Sequence, residues 1–158
     1  WLYDNTVDLA FCLEIDTIGK PWISAMPLYS LDSVLIFSSK HPLLTKDSLS
    51  LSDFRDEVFL NVSSKESPAL NNLLVVECQK SGFIPKVVEA ANISEQLLLL
   101  ESGKGVAIGS LNNMSAYNTN LTMVQLPELK PMQLVIARNV NNPNPCITMF
   151  HSCYEPIE

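Results

Sequence analysis

The stretch CQKSGFIPKVVEAANISEQLLLLESGKGVAIGS, Cys78 to Ser110, decides the fold of this chain. It has the pattern of a helix end, a strand, a second helix and a further strand. Gly82 and Gly103 stand where the two helices must end, because glycine readily adopts the left-handed conformation of a helix C-terminus. The stretch therefore predicts short helical crossovers between strands.

The sequence upstream extends this pattern. VFLNV, Val58–Val62, predicts a buried strand, and Ser67 and Pro68 are residue types preferred at the N-cap and the first position of a helix. Asn92 is the expected cap of the next helix, with an amide in place of the usual hydroxyl. Residues 58–110 thus predict strand–helix–strand–helix–strand, and crossovers of this length require parallel pairing.

Apolar runs and their breakers predict the other elements. They are strands at Val7–Cys12, Asp32–Ser39, Leu121–Leu126 and Met132–Val140, a short helical turn capped by Ser50 or Ser52, and a last helix from Cys146 to about Tyr154. The strand at Asp32–Ser39 is almost continuously apolar, which is typical of a strand buried on both faces. Gly19, Pro21 and Pro27 interrupt the segment after the first strand, which predicts a loop.

Composition excludes several classes of protein. A net charge of -7 argues against autonomous nucleic-acid binding, which requires a basic face. No apolar run is long enough to span a membrane, and no signal peptide is recognisable. The four cysteines have no Cys-x-x-Cys spacing and are interpreted as reduced cytosolic thiols. Cys146 and Cys153 share a helix face, which is typical of packing rather than of a bridge.

The predicted strand ends are rich in small polar residues. Ligands of open parallel sheets bind beyond the carboxyl ends of the strands. The polar residues at these ends are Asn61, Ser63, Ser64, Asn92, Ser94 and Ser110. Two helix N-termini open at the same edge, and such ends suit a carboxylate or another small anion. Helix capping alone explains Ser67 and Asn92, but it does not explain why all three strand ends are polar.

Catalysis and metal binding find little support in the sequence. His41 stands beside a proline turn and His151 lies in the last predicted helix, so neither is placed as a general base. GKG at Gly103–Gly105 lacks the remainder of a phosphate loop. No cluster has the spacing of metal ligands. The sequence predicts no enzyme, no metal and no cofactor.

The order of motifs resembles the effector-binding domain of LysR-type transcriptional regulators. VDLAF, VLIFSSKHPL and LSDF precede the most specific part, Cys78–Ser110, and the resemblance covers essentially the whole chain. It implies an α/β, two-lobed periplasmic-binding-protein-like fold of type II, with an effector held between lobes joined by two crossing strands. A solute-binding protein of a transport system, with the same fold, is the alternative.

The resemblance also implies an arrangement of this chain. Lobe I would comprise residues 1–45 and 125–158, and lobe II residues 46–124, with crossing strands near Val34–Ser39 and Thr122–Leu126. The effector cleft would be formed by two groups of residues. They are Ser63, Ser64, Asn92, Ser94 and Ser110 from lobe II, and Cys12, Leu13 and Glu14 from lobe I.

Members of that family also carry parts that do not match this chain. They begin with a DNA-binding helix-turn-helix and a further strand–helix–strand of lobe I. The chain is therefore expected to be either a piece of a longer protein or a member with an incomplete lobe I. DNA would be bound only through the absent domain.

Two further expectations concern association and redox chemistry. The apolar run Leu73–Val76 predicts self-association, as a dimer or tetramer, through the helix Pro68–Ser81 and the strand Lys86–Ala91. Peroxide-sensing relatives carry a cysteine pair in lobe II, whereas this lobe contains only Cys78. The sequence therefore predicts no disulfide switch.

Overall fold

The computed structural model describes residues 1–62, 68–110 and 120–153. The strands are β1 Ala10–Leu13, β2 Ile23–Leu31, β3 Ser33–Ser38, β4 Val58–Val62, β5 Lys86–Ala90, β6 Ala107–Ser110, β7 Leu121–Val124 and β8 Met132–Asn139. The helices are α1 Pro68–Lys80, α2 Ile93–Glu101 and α3 Cys146–Cys153, with 3-10 turns at Glu14–Asp16, Pro42–Thr45 and Leu51–Phe54. The chain forms two compact units, Trp1–Leu31 with Met132–Glu158, and Asp32–Pro131.

The first unit contains an antiparallel sheet of order β1-β8-β2. β8 lies in the centre, and its residues Val135, Ile136 and Ala137 are fully buried. α3 buries Ile147. The first strand begins three residues later than expected, at Ala10 rather than Val7.

The predicted loop after β1 is wrong for Ile23–Leu31, which forms β2. β2 pairs with β8 along its whole length, from Ile23 opposite Asn139 to Leu31 opposite Met132. The register shifts between Pro27 and Tyr29, where the strand bulges. Because β2 lies at the edge of this sheet, a proline at a bulge is tolerated there. Pro27 therefore indicates an irregular edge strand and not a loop.

Asparagines fix the turn between β8 and α3. The two carboxylate oxygens of Asp8 accept hydrogen bonds from Asn142 Nδ2 at 2.8 Å and Asn144 Nδ2 at 2.7 Å. Asn139 Nδ2 donates to the backbone carbonyls of Leu2 and Tyr3. These bonds tie the amino-terminal segment to the turn that leads into the last helix.

The second unit confirms the crossover prediction. β4 pairs in parallel with β5, and Phe59 of β4 forms a parallel bridge with Val106, directly before β6. Two backbone hydrogen bonds hold this bridge, from Leu60 N–H to Val106 O at 2.7 Å and from Val106 N–H to Val58 O at 2.8 Å. β6 then pairs antiparallel with β3, and β3 with β7. The strands therefore follow in the order β5-β4-β6-β3-β7.

A hydrophobic cluster covers each face of this sheet. The first contains Leu35, Phe37, Phe59 and Val106 of the strands, with Leu74 and Cys78 of α1 and Leu51 and Phe54 of the 3-10 turn. The second contains Val34, Ile36, Leu60 and Ala107, with Leu100 of α2. Every residue of β3 is buried, which confirms the prediction of a strand covered on both sides.

The two compact units are divided at other residues than the lobes that the resemblance implied, and the lobe boundaries stay a prediction. The chain passes between units at residues 31/32 and 131/132, not at 45/46 and 124/125. β3 belongs to the second unit because it is hydrogen-bonded on one side to β6 and on the other to β7. The two expected crossing strands are thus partners in one sheet, with Leu35 opposite Val124.

The cysteines are unbridged and have different environments. Cys78 is buried in the first cluster, as expected, and Cys12 is half-buried. Cys146 and Cys153 are exposed, so the expectation that they serve in packing is wrong. The buried face of α3 is carried by Ile147 instead. Among the described helices, none has the length and apolar character needed to cross a membrane.

Candidate functional site

Three polar side chains lie at one end of the second unit's sheet, all on the same face. Side chains alternate between the two faces of a strand. Asn61 follows Phe59 by two positions, Ser110 follows Ile108, and Ser33 precedes Leu35, so all three share the face of the first cluster. Ser33 lies directly opposite Ser110, since β3 and β6 are antiparallel. The edge at which β4, β5 and β6 end and β3 begins is called the carboxyl edge below.

Two polar atoms at this edge are buried without a partner. Asn61 is 8% exposed and Ser110 is 5% exposed, and within the described part of the chain neither Asn61 Nδ2 nor Ser110 Oγ makes a hydrogen bond. The Oγ of Ser33, by contrast, donates to the carbonyl oxygen of Lys130 at 2.7 Å. An unsatisfied buried donor costs about 1–3 kcal/mol. Such groups are expected where an external molecule completes the hydrogen bonding.

The N-terminus of α2 opens at the same edge, and its own side chains occupy it. Asn92 Oδ1 accepts from Glu95 N–H at 3.0 Å, which confirms Asn92 as the cap. A carboxylate oxygen of Glu95 accepts from Ala91 N–H at 2.6 Å. The helix end thus already faces a negative charge of this chain. Ser94 lies in the first turn and is exposed.

An open cleft of about 340 Å³ lies at the β3–β7 end of the carboxyl edge. Its lining comprises Asp32, Ser33, Gln125, Leu126, Pro127, Leu129 and Pro131. Among these lining residues, Gln125 Nε2 donates to Asp32 Oδ2 at 3.2 Å, and Leu126 and Leu129 are buried. The lining of the cleft combines buried apolar side chains with a few polar groups, a combination typical of small-molecule sites.

The sequence-predicted site residues fall into three groups. Asn92, Ser94 and Ser110 lie at the carboxyl edge of the second unit. Ser63 and Ser64 lie outside the described residues. Cys12, Leu13 and Glu14 belong to the first unit, where Cys12 and Leu13 pair with Val135 and Leu134 inside β1 and Glu14 begins a 3-10 turn. That Cys12, Leu13 and Glu14 form one site with the residues of the second unit stays a prediction.

Cys12 is a weak candidate for chemistry. Burial, with the nearby Asp16 carboxylate as a lesser cause, raises the pKa of the Cys12 thiol. A thiol with a raised pKa is a poor nucleophile at neutral pH. Cys12 is therefore a poor candidate for a nucleophile.

Ser33, Asp32 and Gln125 are not among the site residues expected from the sequence, and Asn61 is expected there only as a polar strand end and not as a residue of the cleft. The signal for Asn61 was its position two residues after Phe59, on a face that is otherwise apolar. Ser33 carried no local signal, because only the antiparallel pairing of β3 brings the start of that strand to the edge where the others end.

His41 has a structural role. Its Nδ1 accepts from Leu43 N–H at 3.2 Å, and its Nε2 lies 3.4 Å from a Glu57 oxygen. The ring packs on Phe37 and Phe54. Within residues 1–62, 68–110 and 120–153, no three histidine, cysteine or acidic residues are grouped so that they could hold a metal ion.

Comparison with known proteins gives consistent results. The family model described as LysR substrate binding domain matches residues 1–153. The chain is 28% identical over 119 residues to the HTH-type transcriptional regulator AlsR of Bacillus subtilis, a match covering 74% of this chain and 39% of AlsR. The chain thus spans well under half of that relative.

Solved structures share the fold. The effector binding domain of QuiR in complex with shikimate aligns with a TM-score of 0.80 at 22% identity, covering 96% of this chain and 71% of that one. Full-length CbnR complexed with its target DNA aligns with a TM-score of 0.78 at 12% identity, covering 96% and 53%. These likenesses bear out the α/β, periplasmic-binding-protein-like fold expected from the sequence.

Proposed function

The chain belongs to the family of LysR substrate binding domains, and we propose that it is the ligand-sensing domain of a bacterial LysR-type transcriptional regulator. The observation that supports this most is the pair of buried, unpartnered groups Asn61 Nδ2 and Ser110 Oγ at the carboxyl edge. Both groups are hydrogen-bond donors, and within the described residues neither is hydrogen-bonded to a base or nucleophile that could take part in a reaction. Their chemistry fits reversible binding, and we propose no catalytic step.

The proposed effector is a small molecule with an oxygen acceptor, such as a carboxylate. This acceptor would receive hydrogen bonds from Asn61 and Ser110. If it is anionic, it would lie away from the N-terminus of α2, because Glu95 already supplies a negative charge there. We propose that Ser63, Ser64, Asn92 and Ser94 contribute to the same site, and that Cys12, Leu13 and Glu14 contribute from the first unit. QuiR, which shares the fold, is seen with shikimate.

The proposed setting is a cytoplasmic regulator. In that setting a DNA-binding domain outside this chain contacts DNA, as CbnR does in its DNA complex. The chain itself would not bind DNA, because it is acidic, with a net charge of -7.

We also propose that the domain self-associates through α1 and β5. Val76 of α1 and Val88 of β5 are 42% and 48% exposed, and Ile84 between these elements is 77% exposed. Within the described chain, β5 pairs only with β4, so its outer edge is open. Open strand edges and grouped apolar side chains are typical of interfaces.

Ligand titration tests the sensing proposal. Shikimate, benzoate and related small carboxylic acids are titrated calorimetrically into the chain, and a binder is then tested on Ser110→Ala. We expect about 10-fold weaker binding, because one hydrogen bond is lost. Ser38→Ala is the matched control, since Ser38 is a buried serine at the opposite end of β3 and should leave the affinity unchanged. Equal weakening by both variants, or no binding by any acid, would contradict the proposal.

A further inference from the structure

The last helix carries an exposed stripe that the sensing role does not use. Cys146, Met149, Phe150 and Cys153 recur at the spacing that places residues on one helix face. Both thiols are exposed, Met149 is 67% exposed and Phe150 is 41% exposed. Ile147, on the other side of α3, is 4% exposed and anchors the helix to the first unit. The stripe, which contains no charge, is called the α3 stripe below.

The start of α3 is held firmly, so the stripe lies on a fixed support. Asn144 Oδ1 accepts from the backbone N–H of Cys146 at 3.0 Å. The amide of Asn144 in turn donates to Asp8 at 2.7 Å. Side-chain caps of this kind stabilise a helix end. The backbone at Cys146, and with it the start of α3, is therefore fixed.

The spacing of the α3 stripe is the same in both directions. Its members are separated by three, one and three positions, so the sequence of thiol, apolar, apolar, thiol is symmetric about the midpoint between Met149 and Phe150. An antiparallel copy of the helix would place Cys146 opposite the second Cys153, and Met149 opposite the second Phe150. Methionine–aromatic contacts are favourable. A surface that matches itself under a two-fold rotation is the requirement for an isologous contact.

We propose that the α3 stripe is a self-association surface, on which α3 of a second copy of this chain packs antiparallel across a two-fold axis. An uncharged stripe suits this occupant, because a chain of net charge -7 repels its own copies wherever charges face each other. The contact area of two helix turns is small, so the contact is weak unless it is locked covalently.

The thiols of Cys146 and Cys153, at the two ends of the α3 stripe, could link the two copies through disulfide bonds. Seven residues of helix separate the Cα atoms of Cys146 and Cys153 by about 10 Å, which is beyond the range of a disulfide within one helix. Across the two-fold axis each thiol has a partner. A hydroperoxide would accept two electrons and two protons from each thiol pair, giving the disulfide, an alcohol and water. This proposal departs from the sequence-based expectation that the chain forms no disulfide switch, because Cys146 and Cys153 are exposed and not packed.

Serine variants test the register directly. The chain is treated with diamide, which is reduced to the hydrazine as it oxidises two thiols, and is then analysed on non-reducing gels. We expect a cross-linked dimer for the native chain and less than a tenth as much for Cys146→Ser or Cys153→Ser alone. Mixing the two variants should restore the cross-link, because one supplies Cys153 and the other Cys146. Parallel packing or random collision would leave each single variant able to cross-link and would overturn the proposal.

A charge in the stripe provides the second test. Met149→Lys should slow cross-linking of the native thiols about 10-fold, because two cations would meet at the centre of the contact. Thr148→Lys is the matched control, since it adds the same charge to the neighbouring exposed position outside the stripe. Equal rates for the two variants would show that the thiols react without the helix contact, and this would overturn the proposal. Circular dichroism of both variants checks that α3 remains folded.

Discussion

Asn61 is a side chain that is better placed for a bound molecule than for the stability of the free chain. It is 8% exposed, and its Nδ2 has no partner among the residues that the structure describes. We expect Asn61→Leu, which has a similar shape, to raise the free energy of unfolding by about 1 kcal/mol, because an unsatisfied donor is removed. The same variant should lose affinity for any ligand that Ser110→Ala binds weakly. Urea unfolding and calorimetry measure the two effects.

Asn139 is the matched control for Asn61. It is buried to a similar extent, but its amide donates to two carbonyls and its Oδ1 accepts from Asn141 N–H at 3.0 Å. We expect Asn139→Leu to lower the free energy of unfolding by about 2 kcal/mol, since three groups lose their partner. If both leucine variants lowered the free energy of unfolding to the same degree, the amide of Asn61 would have a hydrogen-bond partner in the folded chain, which would contradict the prediction.

Cys78 should be chemically inert in the folded chain. Burial, with Glu77 as a lesser cause, raises the pKa of this thiol from 9.0 to about 12. The thiolate fraction at pH 8 is then about 1000-fold smaller than that of a thiol with a pKa of 9.0. Iodoacetamide should therefore modify the buried Cys78 far more slowly than the exposed Cys146. Because the folded pKa is raised, the stabilisation is complete below pH 9 and is lost as the pH rises towards 12. Mass spectrometry of alkylated peptides gives the rates, and similar rates for both cysteines would contradict this prediction.

At the scale of elements, Gly105 permits the bridge that joins β4 to β6. A Cβ atom at this position would meet the carbonyl oxygen of Val58 and lie 3.1 Å from Leu60 Cγ. Val58 O is also the acceptor for Val106 N–H. We expect Gly105→Ala to lower the free energy of unfolding by about 2 kcal/mol or more, because the backbone must move and the bridge is weakened.

Gly103 offers the contrast to Gly105. It has a φ of +66° but open space around its Cα. Gly103→Asn should therefore be tolerated within about 1 kcal/mol, since asparagine adopts this conformation more readily than other side chains. Denaturant unfolding of both variants distinguishes a steric role from a conformational one. A larger loss at Gly103 than at Gly105 would reverse the assignment.

The elements that sequence predicted well are those whose ends are fixed by local chemistry. Asn92 begins α2 and Gly103 follows its end, because capping and left-handed backbone are properties of neighbouring residues. β2 was missed because Pro27 excludes a central strand but not a bulged edge strand, and only tertiary pairing with β8 decides between them. The site was half predicted for the same reason. Ser110 ends the third strand of the predicted crossover unit, whereas Ser33 lies opposite it only through the antiparallel pairing of β3 with β6.

At the scale of the whole molecule, the α1–β5 surface is expected to control assembly. Val76→Glu places a charge on an exposed apolar position, so the dissociation constant of self-association should rise about 10-fold or more. Leu98→Glu on α2 is the matched control, because Leu98 is 64% exposed but lies on a different element. Sedimentation velocity under reducing conditions measures both. A chain that remains monomeric at high concentration without either substitution would contradict the prediction.

Two separate self-association surfaces would give a larger assembly. If α1–β5 and the α3 stripe both form two-fold contacts, one chain contacts two different neighbours, and the smallest closed arrangement is a tetramer. Oxidation would lock one of these contacts and leave the other reversible. Diamide-treated Val76→Glu should therefore stop at a covalent dimer, whereas the treated native chain should sediment as a larger species.

The Val106 bridge has a mechanical consequence. Two backbone hydrogen bonds connect the β5–β4 pair to the remaining strands, and this is a narrow seam. Leu35 and Phe59, which lie on opposite sides of the seam, belong to one hydrophobic cluster. A force that pulls β4 away from β6 is therefore resisted mainly by side-chain packing. This packing is lost after a very small separation, because van der Waals attraction acts over a very short range. When such a chain is stretched, the second unit should therefore rupture in one abrupt step and not unzip strand by strand.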